Sequence, residues 1–198
     1  MKEQVIISIG REFGSAGHII AEELARRFEL PYYDNNLLLH IAEEKDVNHE
    51  SLKKYDERPK NKLFSRTIRM HSSSPEENVA RMQFDYLKKM AEKGKSFVIV
   101  GRCAETKLKE YPGLISIFIL GDYELKLKRV MEIYSVSQED AKQMIRRGDW
   151  ERKSYHNYHC KGKWGDSRNY DISINSSKLG IEKTTDMLER YIKERINL

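Results

Sequence analysis

The residues near the N-terminus that could do chemistry are three glycines with small side chains between them. Gly10, Gly14 and Gly17 punctuate one short stretch, and Ser15 and Ala16 separate the last two glycines. Glycine lets backbone N–H groups approach phosphate oxygens, and the first turn of a helix adds unpaired N–H groups and a partial positive charge. The stretch therefore predicts a binding site for phosphate or another anion.

An apolar strand and an amphipathic helix flank this loop. Residues 5–9 are mostly β-branched and apolar, which is typical of a parallel strand covered on both faces. The loop departs from the phosphate-binding pattern G-x-x-x-x-G-K-[ST] at three positions. If Gly17 is the second glycine of the pattern, His18 replaces the lysine, Ile19 replaces the Ser or Thr, and Glu12 replaces the first glycine. On local pattern alone, a strand–loop–helix without a phosphate role remains an alternative.

Composition predicts one globular domain over residues 1–198. The apolar content of 39% suffices for a core, and the net charge of +5 fits an anionic substrate such as a nucleotide. Nucleic acid is not expected as a partner, because basic residues are interspersed with acidic ones. Two cysteines, no signal peptide and no apolar run of membrane-spanning length predict a cytoplasmic protein without membrane contact.

Strands separated by helices predict a parallel five-stranded sheet. After the first strand, we expect strands at 32–33, 96–100, 114–120 and 170–174, and helices beginning near residues 19, 35, 75, 122, 137 and 181. Ser74 and Pro75 mark one helix start, and the helix from 137 is expected to end at Arg147. Residues 45–74 are expected to form a mobile insert, with a short helix or arm at 64–70, and residues 146–168 a lid.

Two further groups of side chains have both structural and chemical interpretations. Asp34 follows a strand, where it could cap the next helix or face a ligand at the carboxyl edge of the sheet. His156, His159 and Cys160 could ligate zinc, but three neighbouring candidates fall short of the four ligands of a structural site. We therefore predict no metal site in the protein, and a polar, aromatic lid instead. Cys103 is expected to be a small core residue.

Several separated blocks of sequence resemble the cytidylate kinase-like family, a group of bacterial P-loop proteins, in the right order from residue 4 to about residue 193. The resemblance implies a three-layer α/β P-loop NTPase fold, with an ATP site, Mg²⁺, a helical acceptor arm and an arginine-rich lid. The blocks are GREFGSAG at 10–17, PYYD at 31–34, VIVGRCA at 98–104, WGD at 164–166, NYD at 169–171 and NSSKLGIE at 175–182.

The resemblance also implies roles for individual residues. The loop that wraps the donor phosphates would consist of Gly14, Ser15, Ala16, Gly17, His18 and Ile19. Because this loop has no lysine, Arg11 could supply the positive charge instead. Residues facing the acceptor are Asp34, Arg102, Asp149 and Asp171. Residues that would stabilise the transferred phosphoryl group are Arg102, Arg147, Arg152 and His18. Arg147 could instead complement a helix dipole, and Arg152 could be a solvated side chain.

Together, these expectations predict an ATP-dependent kinase that phosphorylates a nucleoside monophosphate, with CMP or dCMP as the first candidate acceptor. His18 and Ile19 motivate an alternative, a nucleotide-binding regulatory protein with weak or no transferase activity. The unmatched stretch at 45–74 motivates another, a kinase of a different small molecule. A homodimer is a further expectation.

Overall fold

The computed structural model describes residues 4–45, 48–54, 56, 67–68, 71–72 and 74–196. Its strands are β1 Ile6–Arg11, β2 Tyr32–Tyr33, β3 Thr67–Ile68, β4 His71–Ser72, β5 Phe97–Val100, β6 Leu114–Leu120 and β7 Ile172–Asn175. Its helices are α1 Gly17–Arg27, α2 Leu37–Lys45, α3 His49–Lys53, α4 Pro75–Glu92, α5 Ala104–Lys107, α6 Tyr123–Tyr134, α7 Gln138–His159 and α8 Ser176–Arg195. A 3-10 turn spans Ser167–Asn169.

Five parallel strands form the main sheet in the order β2-β5-β1-β6-β7. The central strand β1 pairs with β5 through Ile6 and Phe97, and with β6 through Ile6 and Leu114. The chain winds to one side of β1 first and then crosses to the other. The carboxyl end of β1 therefore lies at the point where strand order reverses, which is where open α/β sheets bind ligands.

Helices cover both faces of this sheet, so that the fold has three layers. On one face, Ile7 and Ile9 of β1 pack against Leu24 of α1 and against Leu188 and Ile192 of α8. On the other face, β-strand side chains pack against α2, α4 and α5 through a second buried set: Ile6, Leu37, Leu38, Ile41, Leu87, Phe97, Ile99 and Ala104. The α/β class and the five-stranded parallel sheet predicted from sequence are confirmed.

Helix boundaries agree with the sequence prediction where capping residues mark them. Ser74 accepts a hydrogen bond from the backbone N–H of Glu77, and Pro75 occupies the first turn of α4. The predicted end of α7 at Arg147 is wrong, since the helix continues to His159. Its second half buries Tyr155 and His156, polar aromatic residues that obscure the apolar period of a helix.

The predicted insert at 45–74 lies largely outside the described residues. Where it is described, Thr67–Ile68 and His71–Ser72 pair as antiparallel strands, so of the two alternatives for 64–70, a short helix or a mobile arm, the helix is wrong at Thr67 and Ile68. Within the described ranges, no helix is both long and apolar enough to span a membrane.

Candidate phosphate-binding site

The loop between β1 and α1 has the backbone shape of an anion cradle. Gly14 has φ +79° and Ala16 has φ +64°, and both are left-handed conformations that turn successive N–H groups to one side. At Gly17 a Cβ would lie 2.5 Å from the Cβ of Arg11, so only glycine fits where α1 begins. Two hydrogen bonds hold the loop in this shape. The Ser15 hydroxyl donates to the Glu12 carbonyl at 2.9 Å, and the Ser176 hydroxyl donates to the Ser15 carbonyl at 2.6 Å.

His18, at the position of the missing lysine, is held by the carboxylate of Asp34. Its Nδ1 lies 2.8 Å from Asp34 Oδ2 and 2.9 Å from the Tyr32 hydroxyl oxygen. The hydrogen bond that the ring donates to the Asp34 carboxylate raises the pKa of His18 above its usual 6.5, against the opposing effect of burial. With Nδ1 engaged, Nε2 is the ring nitrogen left for a phosphate oxygen. The half-exposed imidazole therefore holds its proton to a higher pH than a free imidazole does.

Asp34 also faces the guanidinium of Arg11, with Asp34 Oδ1 3.6 Å from Arg11 Nη2. Both side chains are buried, at 6% and 8% exposure, at the carboxyl edge of the sheet. The Asp34 carboxylate therefore lies at the edge of the sheet where ligands bind, and this position is compatible with both interpretations from sequence. The carboxylate positions one cation on each side of the loop.

The loop opens into a cavity of about 490 Å³, within the usual size range of small-molecule sites. Phe13 and Tyr134 stack along its wall with ring centroids 6.0 Å apart, and Ile133 adjoins them with 58% of its surface exposed. The cationic side chains that line the cavity are Arg11, His18, Arg129 and Arg152. The cavity therefore offers positive charge near the loop and an apolar, aromatic wall beside it.

A buried lysine of α6 connects the loop to α7. Lys126 Nζ lies 3.1 Å from Glu12 Oε2 and 2.9 Å from Asp149 Oδ2, and the lysine side chain is 6% exposed. Asp149 also accepts the backbone N–H of Phe13, and Glu12 accepts that of Gly121 at 3.1 Å. We call Glu12, Lys126 and Asp149 the loop brace. These contacts engage Asp149 with the protein itself, and its predicted role toward the acceptor stays a prediction.

A second, smaller cavity of about 20 Å³ lies beyond Arg11, at the end of β5. Arg102 lines it and is 1% exposed; its Nη2 lies 2.8 Å from Asp56 Oδ2. Asp56 in turn accepts a hydrogen bond of 2.9 Å from the amide of Gln83, which is fully buried. Arg102 is thus a buried cation whose ion pair with Asp56 joins the end of β5 to the segment after α3.

Arg152 is the cation that lies between the two cavities. It lines both, donates to the Arg11 carbonyl at 3.4 Å and stacks its guanidinium over the Phe13 ring at 5.3 Å. Arg147, one and a half turns earlier, is 80% exposed in its side chain and pairs with Glu151 at 2.8 Å. The structure therefore brings Arg152 to the site and leaves Arg147 on the surface.

Asp171 lies away from the cavities. Its Oδ2 accepts hydrogen bonds from the backbone N–H and the hydroxyl of Ser116, at 2.7 and 2.8 Å. Ser116 belongs to the first half of β6, whereas the loop lies at the opposite, carboxyl edge of the sheet. Asp171 thus joins two strands, and its predicted contact with the acceptor stays a prediction.

Sequence reasoning did not single out Lys126 and Arg129. Arg129 donates to the Gly14 carbonyl, and both residues face the loop from α6. Lys126 and Arg129 are three residues apart and therefore lie on one face of α6. This pair of basic residues on one helix face is the sequence pattern that could have identified them.

The residues present fit a magnesium nucleotide. Phosphate groups would meet N–H groups of the loop other than that of Ser15, which donates to the Glu12 carbonyl at 3.4 Å. Glu12, Asp34 and Asn35 add carboxylate and amide oxygens to the same cavity, the hard donors that Mg²⁺ prefers.

A family model described as the cytidylate kinase-like family matches residues 6–178 of the chain. A search of functionally curated proteins gives no match. Among solved structures, an uncharacterized protein from Eubacterium ventriosum is 41% identical, with a TM-score of 0.76, covering 96% of this chain and 99% of that chain.

Two shikimate kinases share the fold at low sequence identity. The enzyme from Bacteroides thetaiotaomicron is 13% identical with a TM-score of 0.55, covering 96% of this chain and 98% of its own. The enzyme from Acinetobacter baumannii, solved in complex with shikimate, is 12% identical with a TM-score of 0.55, covering 98% of this chain and 95% of its own. At these identities the likeness establishes the fold.

Proposed function

The chain belongs to the cytidylate kinase-like family, and we propose that it is a kinase. It would transfer a phosphoryl group from ATP to a nucleoside monophosphate, with CMP or dCMP as the first candidate acceptor. The observation that carries the proposal is the anion cradle of Gly14, Ala16 and Gly17, which opens into a cavity lined by cations. Phosphoryl transfer depends on positioning and on positive charge more than on covalent chemistry. The cavity has features suited to both.

Each group of residues has a separate task in this proposal. Bound MgATP supplies the phosphoryl group and a divalent charge. The loop N–H groups and His18 hold the donor phosphates, and the Phe13–Tyr134 wall accepts the base by stacking. Arg102 binds the acceptor phosphate, which requires its pairing with Asp56 to open or to be shared.

Arg152 is proposed to stabilise the charge that develops during transfer. It lines the donor cavity and also the smaller cavity that Arg102 lines, so it connects the two proposed phosphate-binding cations. A planar guanidinium can pair with two oxygens at once and stays charged at any physiological pH. The acceptor phosphate brings its own anionic oxygen as nucleophile, so no protein base is needed.

We expect the activity in the cytoplasm, since both cysteines are free thiols. A nucleotide is the expected partner, without nucleic acid, and a homodimer stays a prediction. The regulatory alternative is favoured by one observation, the pair of His18 and Ile19 where phosphate-binding loops have lysine and a hydroxyl.

The experiment that tests the proposal measures ADP formation by the full chain with ATP and Mg²⁺. CMP, dCMP, UMP, AMP and GMP form the acceptor panel, with shikimate as a small-molecule alcohol, and ATP binding is measured separately by calorimetry. We expect ADP formation that depends on CMP or dCMP.

Other outcomes separate the alternatives. ATP binding without ADP formation for any acceptor would favour the regulatory protein. Turnover with shikimate alone would favour a kinase of another small molecule. A folded protein that binds no ATP would overturn every nucleotide hypothesis.

A further inference from the structure

A second group of metal-ligating side chains lies where the end of α7 meets the turn between β5 and α5. Glu105 comes from the first turn of α5, and His156 and Cys160 come from the end of α7, four residues apart. One ligand atom from each lies within 4.8 Å of the other two. His156 Nε2 and Glu105 Oε1 are 2.8 Å apart.

Cys103 adds a fourth candidate ligand to this group. Cys103 is 3% exposed and lines the same small cavity as Glu105 and His156, just outside the group whose ligand atoms lie within 4.8 Å of one another. Neither cysteine is in a disulfide. The complete set is two sulfurs, one imidazole nitrogen and one carboxylate oxygen, contributed by two separate elements of the fold.

The surroundings suit a small cation. The cavity of about 20 Å³ is lined by Cys103, Glu105 and His156, and a volume above about 10–15 Å³ admits one water-sized occupant. Arg102 and Arg152 line the same cavity, so their positive charges would balance the excess negative charge of two thiolates and a carboxylate.

We propose that Cys103, Glu105, His156 and Cys160 bind one zinc ion. Zinc takes four ligands in a tetrahedron, and thiolate with imidazole is the donor combination that selects it over magnesium or calcium. Of the three ligands considered from sequence, the fold keeps His156 and Cys160, adds Glu105, and places Cys103 beside them as the candidate fourth ligand. His159 is not in the set, because its ring packs against Phe84, Tyr155 and Tyr158.

A zinc ion here would fasten the end of α7 to the residue pair that carries Arg102. Arg102 and Cys103 both have left-handed backbone conformations, φ 58° and 55°, which an ion bound at Cys103 would hold in place. On α7, Arg152 and His156 are four residues apart and share one helix face, and Cys160 is the residue that caps the end of this helix. The site would therefore position Arg102 and Arg152, a role that rests on the proposed kinase function.

The test is metal binding by the tag-free, reduced full chain, without nucleotide. Zinc is added, excess is removed by dialysis, and bound zinc is measured by mass spectrometry; Co²⁺ is then used as a spectroscopic probe. We expect about one equivalent per chain, a thiolate-to-cobalt charge-transfer band and the intense visible bands of tetrahedral Co²⁺. The melting temperature should rise with zinc and fall when a chelator removes it.

Variants assign the ligands. Cys160→Ala and Glu105→Gln should lower zinc retention at least tenfold, and the control His159→Gln, at the neighbouring position, should retain it. Circular dichroism verifies that each variant is folded.

The wild-type spectrum decides the question even where a variant fails to fold. A chain that retains no zinc, and gives only the weak bands of hydrated Co²⁺, would overturn the proposal and leave an ion triad of Glu105, His156 and Cys160. Loss of both free thiols in the purified chain, without bound metal, would overturn it in favour of a Cys103–Cys160 disulfide. Because no nucleotide is present, either result is independent of the proposed kinase activity.

Discussion

Replacing Lys126 with methionine removes the cation of the loop brace and keeps the length of the side chain. Glu12 and Asp149 then lose their shared partner, while their own side chains are 28% and 24% exposed. Breaking a buried ion pair by removing one partner costs about 3–5 kcal/mol, and partial hydration of the two carboxylates reduces this to about 2–3 kcal/mol. For a chain of 198 residues this predicts a melting temperature lower by about 4–12 °C.

Thermal unfolding by circular dichroism measures this effect, with Lys128→Met as the matched control. Lys128 lies on the same helix, is 72% exposed in its side chain and approaches Glu132 at 3.9 Å. An exposed pair of this kind contributes about 0–1 kcal/mol, so the control should melt within about 4 °C of the wild type.

The brace should also affect ligand binding, because it holds Glu12 and Phe13 at the entry to the phosphate loop. We therefore expect Lys126→Met to weaken ATP binding, measured by calorimetry below its melting temperature, more than Lys128→Met does. Equal melting temperatures for the two variants would refute the argument that the buried lysine connects the loop to α7.

Three further predictions concern the site itself. Gly17→Ala places a methyl group 2.5 Å from a neighbouring Cβ, so it should lower the free energy of unfolding by about 1–3 kcal/mol and weaken ATP binding by calorimetry; unchanged binding would contradict the cradle. The pKa of His18 is raised through Asp34, so its charge is present at low pH and lost as the pH rises through that pKa. ATP affinity should fall about fivefold over that rise, the effect of a half-exposed charged hydrogen bond of about 1 kcal/mol, and a His18→Lys variant should show no such fall. Arg152→Lys should reduce kcat/KM by about tenfold or more in steady-state assays, whereas Arg147→Lys, at an exposed position, should change it little; equal losses would contradict the placement of Arg152.

The main sheet and the loop could be predicted because their determinants are local. Apolar runs such as Phe97–Val100 and Leu114–Leu120 are buried strands whatever their neighbours are, and the glycines at 14 and 17 impose a loop of defined backbone shape. Ser74 and Pro75 fixed a helix start through the backbone N–H groups they satisfy or replace. The length of α7 was underestimated, because Tyr155 and His156 are buried by contacts with distant parts of the chain. Tyr155 packs with Ala80 and Cys103, and His156 pairs with Glu105, and the sequence of α7 does not show these contacts.

What the sequence by itself determined, then, is the order of the five main-sheet strands and of six helices, the loop at Gly14–Gly17 and the family resemblance built on them; it did not predict α3, α5 or the pair of β3 and β4. Only the tertiary structure decided which charges meet. It placed Lys126 between Glu12 and Asp149, separated Arg152 from Arg147, and joined His156 to Glu105 across 51 positions of chain. The physical reason is that contacts between residues distant in sequence depend on how strands cross and helices pack, which local propensity and spacing do not encode.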